Sequence, residues 1–148
     1  MGDRHAQLTT AMLGAGCTAP KDWVHSELSE NIPQFARFLL LRDVHRAADA
    51  VDTVLADTVG EQPHLQATLD ALREAVGEDA LHTLLQAYGK ALGNALVMVL
   101  DEGPADASAE QPGWALMETD ADGVPTGRWV QGLHEDYLDF DGAYQPAD

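Results

Sequence analysis

Apolar residues recur at helical spacing through most of this chain, and only near its end does the period shorten to alternation. Arg4–Leu13 has the pattern of a short helix, broken by Gly14-Ala15-Gly16 and then by Thr18-Ala19-Pro20. Trp23 and Val24 come next in a polar segment and are expected to dock on the body. The densest apolar run lies in Asn31–Thr58, which reads as one long amphipathic helix. Asn31 is a suitable N-cap, Gln34 makes a capping-box-like pair with it, and Pro33 falls in the first turn. The expected core stripe is Ala36, Leu40, Val44, Ala47, Val51, Val54 and Leu55, with Gln34, His45, Asp49 and Asp52 opposite. Phe35 and Phe38 fall on the polar side. The first half should therefore be covered twice, by the N-terminal segment or a C-terminal hairpin. Asp43 lies near the apolar face and needs a partner such as Arg42 or Arg46, or an edge position.

Gly60 is a plausible stop for that helix. Pro63–Val76 predicts a second helix, striped by Leu65, Leu69, Leu72 and Val76 and ended by Gly77. Glu78 and Asp79 suit the first turn of a third. It carries Leu81, Leu84, Leu85, Tyr88, Leu92, Leu96 and Val99, with Gly89 and Gly93 allowing another backbone to come close. Residues 95–101 could end this helix or form a strand. Asp101 and Glu102 oppose the helix dipole there, but the helix is the favoured reading.

Residues 103–112 read as a loop. Trp114–Glu118 and Arg128–Val130 read as two strands around the turn-forming stretch Asp120–Gly127. Leu133, Tyr137 and Phe140 anchor the short acidic segment after the second strand, and Ala143–Asp148 reads as a frayed tail. The fold class is α+β, mostly α: three main helices, one spanning about 31–58, with a C-terminal β-hairpin packed on them. Residues 1–148 are taken as a single domain. Its parts are an N-terminal segment (1–30), a helical body (31–102), a loop (103–112) and an acidic, hairpin-containing segment (113–142).

Composition sharpens the functional side. The 148 residues have a formal net charge of −17, with only 6% aromatics, so the core must be aliphatic. Residues 101–148 hold 12 acids and one base, Arg128, a net of −11. Such a surface repels phosphate backbones and anionic lipid and attracts basic partners. Acidity also serves solubility or salt adaptation, so a salt-adapted structural or oligomerising domain is a competing reading. One cysteine, Cys17, excludes an intramolecular disulfide. With no signal-peptide pattern and no apolar run of about 18 residues, a cytoplasmic protein is expected.

Motifs for chemistry fail on context. Gly14-Ala15-Gly16-Cys17-Thr18-Ala19 matches a dinucleotide fingerprint by letter, but no strand precedes it and Pro20 comes directly after. Cys17 beside His5 or His25 could be a nucleophile, although a lone cysteine is more often a small apolar residue. Asp120-Ala121-Asp122-Gly123 starts like a calcium loop, but Trp129 stands where the bidentate glutamate belongs. His134-Glu135-Asp136-Tyr137-Leu138 lacks the second histidine of a zincin. His45 with Asp49 and Glu78 with His82 are two i, i+4 pairs. Facing each other they would make a metal site for a helical-bundle hydrolase.

The favoured expectation is a non-enzymatic acidic interaction module, an inhibitor, immunity-type neutralising protein or adaptor. It would need no cofactor, bind a basic protein partner, avoid direct nucleic-acid and membrane binding, and permit a homodimer. The partner-binding candidates are Trp114, Arg128, Trp129, His134, Glu135, Asp136 and Tyr137, because aromatic residues and arginine supply interface cores. The competing expectation makes Trp114 and Trp129 cross-strand neighbours that pack the hairpin on the helices.

Overall fold

The computed structural model describes residues 2–103 and 112–145. The expected loop at 103–112 and the last tail residues lie almost wholly outside that range. The described chain is mostly helical with one antiparallel strand pair, so the α+β class holds. The helix count does not: there are seven α-helices among the described residues rather than three. They are α1 (Gly2–Gly14), α2 (Pro20–Glu30), α3 (Gln34–Asp49), α4 (Val51–Glu61), α5 (Gln66–Val76), α6 (Glu78–Glu102) and α7 (Leu133–Tyr137). The strands are β1 (Leu116–Thr119) and β2 (Pro125–Val130). The chain forms two compact units, Met1–Asp43 with Asn94–Asp148, and Val44–Gly93.

The long helix expected over 31–58 is two helices that start later. Asn31 is not an N-cap but the left-handed C-cap of α2, at φ 55° and ψ 36°. The first turn of α3 is capped from a distance, since the Phe35 N–H donates to Glu27 Oε2 at 2.8 Å. Gln34 reaches back to Ser26 instead of closing a capping box. The helical path breaks at Ala50, whose ψ of 42° leaves the helical basin. Asp49, just before the break, accepts a hydrogen bond from Gln86 of α6, and Gly89 of α6 lies against Ala48. Gly60 does not stop α4, which continues to Glu61.

The core stripe of α3 is also rotated from the expected one. Gln34, Arg37, Phe38, Leu41, His45 and Ala48 are buried, while Ala36, Leu40 and Val44 are half-buried and Ala47 is exposed. Gln34 and His45 of the expected polar face point inward with Arg37, while Asp49 and Asp52 stay exposed. Arg37 donates to Gln34, to the Gly132 carbonyl and to Asp136. Asp43 sits at an edge and is paired with Arg42 at 2.9 Å.

In the first unit, Met12, Val24, Phe38, Leu41, Val97, Val130, Leu133, Tyr137 and Phe140 form the core. Phe38 is covered on one side by Trp23, edge-on at 5.6 Å, and by Phe140 at 5.2 Å. On the other side of α3 the hairpin closes a cleft over Ala36, Leu39 and Leu40, so the first half is covered from two directions, as Phe35 and Phe38 foretold. The chain end is not frayed as far as it is described. Tyr144 bridges to Cys17, and Gln145 N–H donates to the Gly16 carbonyl at 2.9 Å. A Cβ on Gly16 would lie 2.5 Å from the Gln145 carbonyl, and its φ is +93°. Gly16 of the 14–19 stretch thus serves this close approach, while Gly14 has open space around it.

In the second unit, Ala48, Val51, Leu69 and Leu81 are buried. Gly77, at φ 85°, ends α5 as its position predicts. The ambiguous residues 95–101 are helical, within the 25-residue α6. No helix among the described residues is long and apolar enough to cross a membrane.

Candidate partner-binding face

The hairpin positions the candidate residues. Its turn is held by Asp120, whose Oδ1 accepts the N–H groups of Asp122 and Val124. This is Asx-turn chemistry, and it accounts for the Asp-x-Asp-Gly letters without a cation. Leu116 faces Val130 and Met117 faces Trp129. An irregularity then intervenes before Thr119 meets Pro125, with Gly127 at φ 83°. Side chains alternate about this register. Glu118, Arg128 and Val130 turn inward, and Met117 and Trp129 turn outward.

The inward side is a charged clasp. Arg128 meets both oxygens of Glu118 and donates to Glu27 at 3.2 Å. Burial pulls the Arg128 guanidinium down, but the two carboxylates outweigh that and raise it above its ordinary value. Glu27 is 5% exposed and also caps α3, so one carboxylate joins α2, α3 and β2. Breaking such a pair costs about 3–5 kcal/mol because the remaining charge is stranded. Arg128 is therefore engaged within the fold, on the inward side of the hairpin. Tyr137 is likewise removed from the face, being 1% exposed. Asp136 is bound to Arg37 at 2.7 Å. Burial raises its carboxyl, Arg37 lowers it and Glu135 raises it, for a net upward shift.

The outward side is open. Trp129 is 54% exposed, Trp114 is 50% exposed, and Met117 is also exposed. Trp114 precedes β1, so the cross-strand partner of Trp129 is Met117 and the expected Trp–Trp pair does not form. Beside Trp129 lies a cleft of about 450 Å3, lined by Arg37, Asp101, Gln131, His134 and Glu135 among others. Asp101 closes a puzzle of the sequence. Its position in the last turn of α6 is unfavourable to the helix dipole, but Asp101 Oδ2 accepts the His134 N–H at 2.8 Å and lies 2.7 Å from His134 Nδ1. It thereby caps α7. Burial pushes the Asp101 carboxyl up, yet the N–H of His134, its ring and the Leu133 N–H pull it lower still, below its ordinary value. An ionised carboxylate only accepts, so His134 Nδ1 is the donor in this contact. Arg37 faces the same cleft, but its guanidinium is engaged by Gln34, Gly132 and Asp136.

The other candidates do not assemble. Asp49 meets Gln86 and Lys90, Glu78 meets Arg73, and His82 meets Asp52 at 3.5 Å. His45 is buried at 3% exposure. Among the described residues no three histidine, cysteine, aspartate or glutamate side chains converge on a metal position. Cys17 is buried, and burial raises its thiol despite a backbone hydrogen bond that lowers it, which is opposite to nucleophile activation.

Sequence reasoning missed Glu27, Asp101 and the inner role of Arg37. Helix α2 carried readable signals, Pro20 in its first turn and Asp22 beside it. Asp101 betrayed itself as a misplaced acid. Comparison of the chain with family models, with curated proteins and with solved structures finds no match to any of the three.

Proposed function

We propose that this chain is a non-catalytic, acidic interaction module that captures a basic protein partner through its C-terminal third, as a small inhibitor, immunity-type protein or adaptor does, in a reducing, cytoplasmic setting. The observation that carries the reading is the Met117–Trp129 pair on the open side of the hairpin, in a segment of net charge −11. Exposed Trp and Met supply anchoring area, and the surrounding carboxylates supply steering. The contact set is Trp114, Met117, Trp129, His134 and Glu135. The cleft beside Trp129 suits one cationic side chain. Trp129 offers an aromatic face and Glu135 a carboxylate that is 69% exposed, with His134 beside them on the cleft wall.

The test is a fluorescence titration with a short oligoarginine peptide and its neutral citrulline counterpart, for the wild type and for Trp129→Ala. Arginine peptide should bind, citrulline peptide should not, and Trp129→Ala should weaken binding about tenfold. Equal binding by wild type and Trp129→Ala would reduce the attraction to diffuse counterion behaviour and defeat the reading.

A further inference from the structure

Strand β1 has an open side. Among the described residues it pairs with β2 alone, so the N–H and C=O groups on its other edge meet no strand. The cleft of about 310 Å3 between the hairpin and α3 follows that edge. It touches inward Leu116 and Glu118 and also outward Met117 and Thr119. Side chains alternate between the faces of a strand, so a cleft in contact with four consecutive residues runs along the strand's margin. Its floor is aliphatic, made by Ala36, Leu39 and Leu40 of α3 with Val130.

The two strands are not equally guarded against a third. From the Met117–Trp129 pair to the Thr119–Pro125 pair, two steps along β1 match four along β2, so the extra residues of the irregularity lie on β2. β2 also holds Pro125 and the left-handed Gly127. Bulges and proline blunt a strand edge, and β1 has neither, nor a lysine. Its one charge, Glu118, is turned inward and held by Arg128. Charge then selects the occupant. Residues 114–130 hold Glu118, Asp120 and Asp122 against Arg128, a net of −2, within a chain of net −17. A second copy would bring the same acids to the same edge, whereas a basic strand is attracted to it.

We propose that β1 takes up an extended segment of the basic partner as a third strand. This mode of binding rests on the basic-partner reading and gives the form in which that partner arrives. Main-chain hydrogen bonds along the open edge supply affinity, and alternate side chains supply selection. Those on one face of the added strand are apolar and enter the cleft over Ala36, Leu39 and Leu40. Those on the other face are basic and lie beside Met117 and Trp129 on the open side of the hairpin. β1 is about 13 Å long, so it pairs with about four residues of the partner.

NMR titration of the labelled full chain with a hexapeptide of alternating valine and arginine, blocked at both ends, tests this. At saturation, alternate amides of Leu116–Thr119 should exchange with solvent at least about tenfold more slowly. N-methylation of all the valines, or of all the arginines, blocks the N–H groups of one edge of the peptide only. One of these two peptides should therefore bind like the parent, and the other at least about tenfold more weakly. A threonine–arginine peptide keeps the charge and the strand propensity but not the apolar contact, and should bind severalfold more weakly than the parent. β1 amides that gain no protection contradict the proposal, as do two N-methylated peptides that bind alike or a threonine peptide that matches the valine one. Edge amides already protected in the free chain also contradict it. A second copy holds the edge if that protection rises with protein concentration, and the chain covers itself if it does not. Oligoarginine run alongside separates the two readings. If it binds through Trp129 while the methylated pair shows no difference, the basic-partner reading stands and strand addition falls. If neither oligoarginine nor the valine–arginine peptide binds, both fall.

Discussion

Asp101 does two jobs that a position-by-position reading keeps apart. It ends one helix where a base would be better, and it starts another by accepting the His134 N–H. Its side chain is 4% exposed, so the contact is made away from water. A hydrogen bond to a charged group is worth about 1.5–3 kcal/mol, more than the adverse dipole term of about 0.3–1 kcal/mol. The sign of the pH effect is set by the carboxyl being lowered in the fold. The folded state then holds its proton less tightly than the unfolded chain. Its stabilisation is complete above the unfolded value of about 4 and is lost as pH falls through the lower folded value. Asp136, whose carboxyl is raised, acts in the opposite sense, so the total acid response does not isolate Asp101. Comparing denaturant unfolding of Asp101→Asn and wild type across the acid range does. The variant should be about 1–2 kcal/mol less stable at neutral pH, and the gap should close as pH falls below about 4. A constant gap would mean that Asp101 contributes shape rather than charge.

At the scale of elements, two glycines in helices make opposite predictions. A Cβ on Gly60 in α4 meets nothing within 4 Å, whereas one on Gly89 in α6 lies 3.3 Å from the Ala48 backbone. Gly60→Ala should raise stability by about 0.5–1 kcal/mol through helix propensity. Gly89→Ala should lose that gain to crowding, which thermal unfolding of both variants would reveal; equal stabilisation would deny the close approach at Ala48. Local signals told correctly wherever an element is specified by its own residues. Gly77 stops α5, Asp120 builds the hairpin turn, and the leucine stripe makes α6 helical to Glu102. They misled where a distant residue decides. The spacing of α3 is expected to turn Gln34 and His45 outward because polar side chains favour water. In the fold, Ser26 satisfies Gln34, while Gly132 and Asp136 satisfy Arg37, nearly a hundred positions along the chain. Asn31 was read as a start because Asn serves both N-caps and left-handed C-caps, and only the backbone distinguishes them. The candidate face was half legible. Trp129, Trp114, His134 and Glu135 stay outside, but Arg128 and Tyr137 turn in, since a strand hides alternate residues and the turn of α7 hides Leu133 and Tyr137, four apart, and composition does not say which.

On the whole molecule, charge and apolar surface are divided between different places. The last third carries most of the negative charge along with the open Trp114 and Trp129, and the middle of α6 is nearly free of charge and rich in exposed leucine. Under the proposed function, binding of a basic partner should weaken as ionic strength rises. The central claim is that a cationic partner lands on the hairpin face rather than on acidic surface at large, and the three tryptophans allow a direct test. Trp23 packs edge-on against Phe38 in a different acidic cleft lined by Asp22, Asp136 and Asp139. The measurement is the shift of the three indole N–H signals in an NMR titration with oligoarginine. The account predicts saturable shifts at Trp129 and Trp114 with Trp23 unmoved; a response confined to Trp23, or small linear drifts at all three, would contradict it.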